Sequence, residues 1–198
     1  MNHNLFEDEL ICLANIEPNI DAEVESKWSH DSEYLRMLGA ELSRPLSAAQ
    51  LKKRYESIEK KAEENARLFY YTIRKREDNR PVGFIRIELW DWNQRAASLQ
   101  LGIGDAADRG QGYGTQALRL MLRFAFDELN MRRISVRVPA YNTAALHLFE
   151  KAGFIVEVRR RQMIQRDGQR WDEICLGLLQ EEWKGHEKGG RNDSDETF

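Results

Sequence analysis

The sequence is poor in several residue types, and each shortage excludes something. Cysteine occurs twice in 198 residues, as Cys12 and Cys175, each inside an apolar stretch, which argues for buried free thiols rather than a disulfide framework. The four histidines, His3, His30, His147 and His186, show no metal-ligand spacing, so no metal site is expected. There is no long hydrophobic run. The most apolar stretch, Leu118 to Phe126, is broken by Arg119 and Arg123, and the mean hydropathy is −0.67, so no membrane span of about 20 apolar residues can be drawn. Charge of one sign is not in excess: 30 basic and 33 acidic residues leave a net charge of −3, with no bulk attraction to nucleic acid or anionic lipid. The opening residues, Met1 to Glu9, carry acid where a secretion signal needs a basic and then an apolar segment, so a cytoplasmic protein is expected.

What is present is a chain 41% apolar, long enough for one sizeable core. One domain is expected over residues 1–180. Residues 181–198 turn polar and glycine-containing and read as a disordered tail. Leu10-Ile11-Cys12-Leu13 reads as a strand, and Asn19 to Leu42 as one or two short acidic helices. Ser47 and Gln50 form a capping box, with Leu46 and Leu51 placed as a hydrophobic staple, and Leu51, Tyr55, Ile58 and Ala62 mark the apolar face of the helix that follows. Strands are expected over 68–73, 82–89 and 96–103, then a helix over 111–129, a strand over 134–138 and a short helix over 142–152. Asp167-Gly168 between two extended runs predicts a terminal hairpin. This order gives an α/β (α+β) class: a mixed, mostly antiparallel sheet with helices on both faces, in which only the strands flanking the 111–129 helix need be parallel.

The most informative segment lies between Gly102 and Thr115. Glycines at 110, 112 and 114 remove side chains where the following helix exposes its first unpaired N–H groups. The helix dipole adds about half a positive charge there, and Arg109 a full one, so a phosphate or pyrophosphate is the expected guest. A Walker A loop is excluded because no Lys-Ser or Lys-Thr follows the glycines. Gly102-Ile103-Gly104-Asp105-Ala106-Ala107 matches a dinucleotide-binding G-x-G-x-x-A formally. It fails on context, since three more glycines precede the helix and no strand-end acid follows about 20 residues on.

Arg109 to Gly114 fits R/Q-x-x-G-x-G/A, and Asn142 to Phe154 fits N-x-x-A-x-x-x-Y-x-x-x-G-F with Phe149 at the tyrosine position. In these two blocks, their order and their spacing, the chain resembles the GNAT superfamily of N-acetyltransferases over about Leu10 to Leu179. Tyr113-Gly114-Thr115-Gln116-Ala117 and Tyr141-Asn142 resemble its branch of ribosomal-protein N-terminal and spermidine acetyltransferases. The resemblance implies a sheet of about seven strands splayed at its centre, acetyl-CoA as cosubstrate, no metal, and direct transfer of an acetyl group to a primary amine: a protein N-terminus, a polyamine or another small amine. It further implies that Gly102, Ile103 and Gly104 run beside the pantetheine arm, with the Gly102 N–H as donor to the thioester carbonyl. Arg109, Gly110, Gln111, Gly112, Tyr113, Gly114 and Thr115 would hold the pyrophosphate, and Asn142, Phe149 and Lys151 would meet the rest of the cofactor.

Two departures leave the catalytic residues unassigned. Phe149 cannot donate the proton that a tyrosine there gives to the departing thiolate, although Tyr141 or a water could. Gln100 stands where relatives often carry a glutamate base, leaving Glu88, Asp91 or water. Deprotonating an amine of pKa about 10.4 at pH 7 costs about 4–5 kcal/mol, against about 1.4 kcal/mol for an α-amine near 8, so a weakly basic acceptor is favoured. The same departures motivate a rival reading, a CoA-binding sensor without turnover. Arg159-Arg160-Arg161 reads as a solvated edge or as a contact for the CoA 3′-phosphate, and Trp28, Trp90 and Trp92 as core or as acceptor-pocket lining. The terminal hairpin could pair across a homodimer.

Overall fold

The computed structural model describes residues 4–39, 44–65 and 67–183. Its elements are β1 (Ile11–Ala14), α1 (Pro18–Ser29), α2 (Ser32–Met37), α3 (Ala48–Asn65), β2 (Leu68–Lys75), β3 (Pro81–Asp91), β4 (Ala96–Ile103), α4 (Tyr113–Arg123), β5 (Arg133–Pro139), α5 (Thr143–Lys151), β6 (Ile155–Arg166) and β7 (Gln169–Leu179). One seven-stranded sheet takes the order β1-β2-β3-β4-β5-β7-β6. Every neighbouring pair is antiparallel except β4 and β5, the two strands joined through α4. This is the mixed sheet expected from the order of elements.

The β4–β5 ladder holds for three residue pairs only, Ala96 with Arg133, Ala97 with Ile134 and Ser98 with Ser135. From Leu99 to Ile103 β4 keeps its partner β3 but has none on the other side. The sheet therefore opens into a wedge at its centre.

Helices cover both faces. On one, Trp28 of α1, Tyr34 of α2, and Leu51, Tyr55 and Ile58 of α3 pack with Tyr70 and Phe84 of the sheet. On the other, Ala117, Leu118, Met121 and Leu122 of α4 and Phe149 of α5 join the main core with Ile85, Ile87, Leu99 and Val136. The capping box forms as read: the Ser47 amide donates to Gln50 Oε1 (3.0 Å) and the Gln50 amide to Ser47 Oγ (3.3 Å). Asp167 and Gly168 both take positive φ, 52° and 73°, which is the left-handed two-residue turn that suits the twist of a hairpin.

Two boundaries differ from expectation. The 111–129 helix starts at Tyr113, because Gly112 adopts φ 86° as its N-cap, and after Arg123 it widens into a π-helical turn, Phe124–Glu128. The polar tail does not begin at 181: residues 180–183 are helical, and Trp183 is buried against Phe126, ring centres 6.1 Å apart. The remainder of that expected tail, 184–198, lies outside the described residues, as do His3 and His186. Cys12 and Cys175 are free and only half-buried, on strands at different places in the sheet. Among the described residues no helix is long and apolar enough to cross a membrane, and no group of His, Cys, Asp or Glu could hold a metal ion.

Candidate active site

The open wedge leads into a cleft of about 520 Å³ bounded by α2, the end of β4, the glycine loop, and the loop and helix from Tyr141 to Lys151. Chain topology explains the gathering. β4 runs into the loop, α4 carries the chain back, and β5 delivers α5 to the far side of the same wedge.

Gly110 and Gly112 hold φ of 75° and 86°, values that cost an ordinary residue about 1–2 kcal/mol. Their left-handed turns bring the chain to the head of α4, where the first helical bond runs from the Gln116 amide to the Gly112 carbonyl (3.1 Å). The amides of residues 110–115 precede that bond and engage no protein acceptor among the described residues. A run of bare amides at the positive end of an eleven-residue helix has the charge and the free donors to hold an anion.

Of the residues expected from the sequence, Gly102, Ile103, Arg109, Gly110, Gly112, Gly114, Thr115, Asn142, Phe149 and Lys151 line the cleft. Gly104 does not. Its position lies under the Trp28 indole, which a Cβ there would approach to 2.0 Å, and its amide donates to the Val82 carbonyl (3.0 Å), so it serves close packing. Gln111 and Tyr113 are also absent from the cleft lining.

The expected donor role of the Gly102 N–H needs correction on geometry. Main-chain groups along a strand face alternate sides. Because Gly104 bonds Val82 across β3, Gly102 two residues earlier faces its register partner Phe84. Leu101 and Ile103 are the residues whose main-chain groups turn to the wedge.

Arg109 is not a free charge either. Its Nη2 donates to Asp31 Oδ2 and to the Gly104 carbonyl, both at 2.8 Å, and its Nη1 lies 4.0 Å from Glu33. Asp31 meanwhile caps α2, its Oδ1 accepting from the Glu33 amide at 2.9 Å. Burial pushes the Asp31 carboxyl up, but the Arg109 hydrogen bond and the Tyr34 and Glu33 amides outweigh it and hold it below the ordinary range. One guanidinium thus ties the glycine loop to α2. A second tie is Arg80, whose Nη1 and Nη2 each donate to Asp108 at 2.8 Å, just before the loop.

Asn142 does cap α5, accepting from the Ala145 amide (3.0 Å), and its Nδ2 also donates to the Met37 carbonyl (3.0 Å). The Tyr141 hydroxyl donates to the Arg36 carbonyl at 2.8 Å. These bonds lash α2 across the wedge. Phe149 is buried and packs edge-on against Phe154, ring centres 5.3 Å apart. Gln100 is a scaffold residue: its Oε1 accepts from Arg86 Nε (2.9 Å) and its Nε2 donates to the Leu38 carbonyl (3.4 Å).

Glu88 and Asp91 are not among the residues of the cleft, nor are Trp90 and Trp92, which stand exposed at the far end of β3. Trp28 is core. Arg159 and Arg160 pair across the hairpin with Asp172 (2.9 Å) and Glu173 (3.1 Å), as a solvated edge strand would. Sequence reasoning placed one or two short helices between Asn19 and Leu42 but missed their part in the site: Tyr34, Met37 and Leu38, in and after α2, form one wall of the cleft. The one signal available was Asp31, an N-cap residue ahead of a short aromatic-containing run.

A family model described as acetyltransferase (GNAT) domain matches residues 11–155. An uncharacterized N-acetyltransferase of Bacillus subtilis derived from the SPbeta prophage, YokL, is 30% identical over 156 residues, 79% of this chain and 84% of that protein. The spermidine N(1)-acetyltransferase of Escherichia coli is 25% identical over 111 residues, 56% of this chain and 59% of that one. Among solved structures, the spermidine N-acetyltransferase of Vibrio cholerae in complex with CoA and spermine superimposes with a TM-score of 0.76 at 19% identity, over 88% of this chain and 98% of that one. The bare amides, the wedge and the family match converge: this chain belongs to the GNAT acetyltransferases and is an N-acetyltransferase.

Proposed function

We infer that this enzyme takes acetyl-CoA and passes the acetyl group directly to a weakly basic primary amine, an α-amine of a protein or small molecule before a polyamine. The observation that carries the cofactor is the row of unbonded amides from 110 to 115 opening on the wedge. The residues present fit the group. Those amides would take the pyrophosphate, and the main-chain groups of Leu101 with the Ile103 amide would take the pantetheine arm as a further strand would, the Ile103 carbonyl already accepting from Arg109 Nε at 3.5 Å. An N–H from that edge can also meet the charge that develops on the thioester oxygen. CoA supplies a thiolate as a leaving group, of ordinary pKa near 8.5, which departs readily near neutral pH.

The placement of the carboxylates described at the cleft supports the acceptor class. Among the described residues, the carboxylates that line the cleft are Asp108, occupied by Arg80, and Glu33, exposed at the rim, and neither is placed to deprotonate a strongly basic amine deep in the wedge. Thiol release from acetyl-CoA against a panel of amines tests this reading. Peptides with a free N-terminus should be turned over at neutral pH with higher kcat/KM than spermidine or lysine side chains. A preference for spermidine overturns the acceptor class; CoA binding without release for any amine overturns the transfer reaction.

A further inference from the structure

This inference rests on the transfer reaction just described and concerns the proton it must move. Attack of a neutral amine on a thioester leaves a proton too many on nitrogen and one too few on the departing sulfur. The two residues at which such chemistry would be sought are Phe149, which has no ionisable proton to transfer, and Gln100, whose amide is spent on Arg86 and Leu38. The Tyr141 hydroxyl is spent on the Arg36 carbonyl. Thr143, His147 and Lys151 lie one turn apart on the exposed stripe of α5, at the rim.

One polar group in the cleft wall has no employment in the fold. Tyr34 is 3% exposed, and its hydroxyl has no hydrogen-bond partner. It lies 3.4 Å from the point where a side chain on Gly102 would begin, on the β4 segment that has lost its β5 neighbour. The ring is held edge-on by Trp28, centres 6.1 Å apart, and α2 is pinned at both ends, by Asp31 to Arg109 and by Asn142 to the Met37 carbonyl. Leu38 Cδ2 and Phe84 Cε1 lie nearer the Gly102 point, at 2.8 and 2.9 Å, so the hydroxyl is enclosed just behind the cleft surface that its own residue lines. Burying an unpaired hydroxyl costs roughly 1–3 kcal/mol, and such a group on a residue that lines a cleft signals a partner supplied from outside.

We propose that the Tyr34 hydroxyl is the proton shuttle of acetyl transfer, serving as acid and base in one group. The amine lone pair forms the new C–N bond and the thioester carbonyl electrons move to oxygen. As the carbonyl reforms, the C–S bond breaks with its electron pair leaving on sulfur. Tyr34 gives its O–H proton to that sulfur and takes the proton that nitrogen sheds, ending as it began. Nitrogen and sulfur share one carbon at that stage, so a single hydroxyl spans both. Burial, with Glu25 and Tyr70 nearby, pushes the phenol well above its usual value, so a free tyrosinate is disfavoured and the two transfers are coupled.

The test is Tyr34→Phe, compared with wild type in thermal stability, CoA affinity by calorimetry, and steady-state thiol release with the best amine. The expected result is a fall in kcat of about a hundredfold or more, with KM for acetyl-CoA and CoA affinity unchanged and a Tm at or above that of wild type, because the removed hydroxyl bonds nothing. A kcat within threefold of wild type overturns the proposal, as does loss of CoA binding together with a lowered Tm, which makes the residue merely structural. His147→Gln is the control at the rim, and a larger loss there than in Tyr34→Phe overturns the assignment as well. A wild-type protein that binds CoA but acetylates no amine defeats the transfer reaction itself, and that outcome is seen before any variant is made.

Discussion

Two neighbouring glycines in the cradle should respond to the same substitution in opposite ways. At Gly112 the added methyl has room, the nearest atom being Leu10 Cδ1 at 3.8 Å, but φ of 86° is a conformation that alanine resists by about 1–2 kcal/mol. For a domain of this size that is a Tm lower by about 2–8 °C. Gly114 lies inside α4 in ordinary helical backbone, and its methyl would meet Leu101 and Leu148 at 3.7 Å, a normal contact. Alanine is the better helix former by up to about 1 kcal/mol, so Gly114→Ala should leave the ligand-free Tm unchanged or raise it by a few degrees. Both variants should nevertheless weaken CoA. Gly112→Ala relaxes the turn and redirects amides whose bonds to a charged phosphate are worth about 1.5–3 kcal/mol each. Gly114→Ala puts a methyl in the cleft wall, for a cost of about 1–3 kcal/mol, or roughly five- to 150-fold in Kd. Scanning calorimetry without ligand and titration calorimetry with CoA read the two effects separately. Wild-type CoA affinity in Gly114→Ala would refute the placement of the cofactor between β4 and α5.

Other expectations follow from the ties around the cleft. Asp31→Ala removes both a helix cap and the partner of Arg109 and should cost about 1–2 kcal/mol by urea unfolding, whereas Asp31→Asn keeps the cap and should cost under about 0.5 kcal/mol, the ion pair being half-exposed. Equal losses would show that the cap carries nothing. The Asp31 carboxyl sits below its ordinary range when folded, so the stability it lends is present above about pH 4 and is lost as pH falls through the folded value; Asp31→Asn should flatten that acid limb in a pH series. Glu25 behaves oppositely. Burial raises its carboxyl despite the hydrogen bond from Tyr55 and the Arg54 charge, so its ionisation opposes folding increasingly as pH rises from about 4 through the folded value, and Glu25→Gln should equal or exceed wild type at pH 8 with the gap closing toward pH 4. Trp183→Ala should cost about 3–5 kcal/mol, a Tm lower by about 6–20 °C, and a change under 2 °C would return residues 180–183 to the tail.

Much of the fold was legible because local chemistry and tertiary structure agree. Alternation over Ala97, Leu99 and Leu101, the Ser47 and Gln50 box, and Asp167-Gly168 each encode an element within a few residues. The left-handed glycine turn at the head of α4 was legible for the same reason, since glycine spacing at a helix start is a local signal. What stayed hidden depends on register and on distance in sequence. Which way the Gly102 N–H points is settled by its pairing with Phe84, and pleat parity cannot be counted without a partner strand. The Arg109 to Asp31 bond and the placing of Tyr34 beside Gly102 join segments far apart in the chain, and α2, six residues long, is too short for a periodic pattern to show which face it turns to the cleft. Trp183 was readable in principle, as a large apolar side chain in a stretch taken to be solvated. A single residue has no period.

The unfinished ladder between β4 and β5 carries a consequence for the protein's handling. An unpaired strand edge is the usual template for sticky, fibre-like association, and most sheets bury the hazard at their margins under charge, as the arginine-rich β6 does here. This molecule keeps a second raw edge in its middle, from Leu99 to Ile103, walled by α2 and α5 so that another polypeptide cannot easily lie down on it. Saturating the preparation with CoA should therefore slow deuterium uptake along that stretch and protect against clumping on heating, because a ligand lying where we propose would finish the sheet.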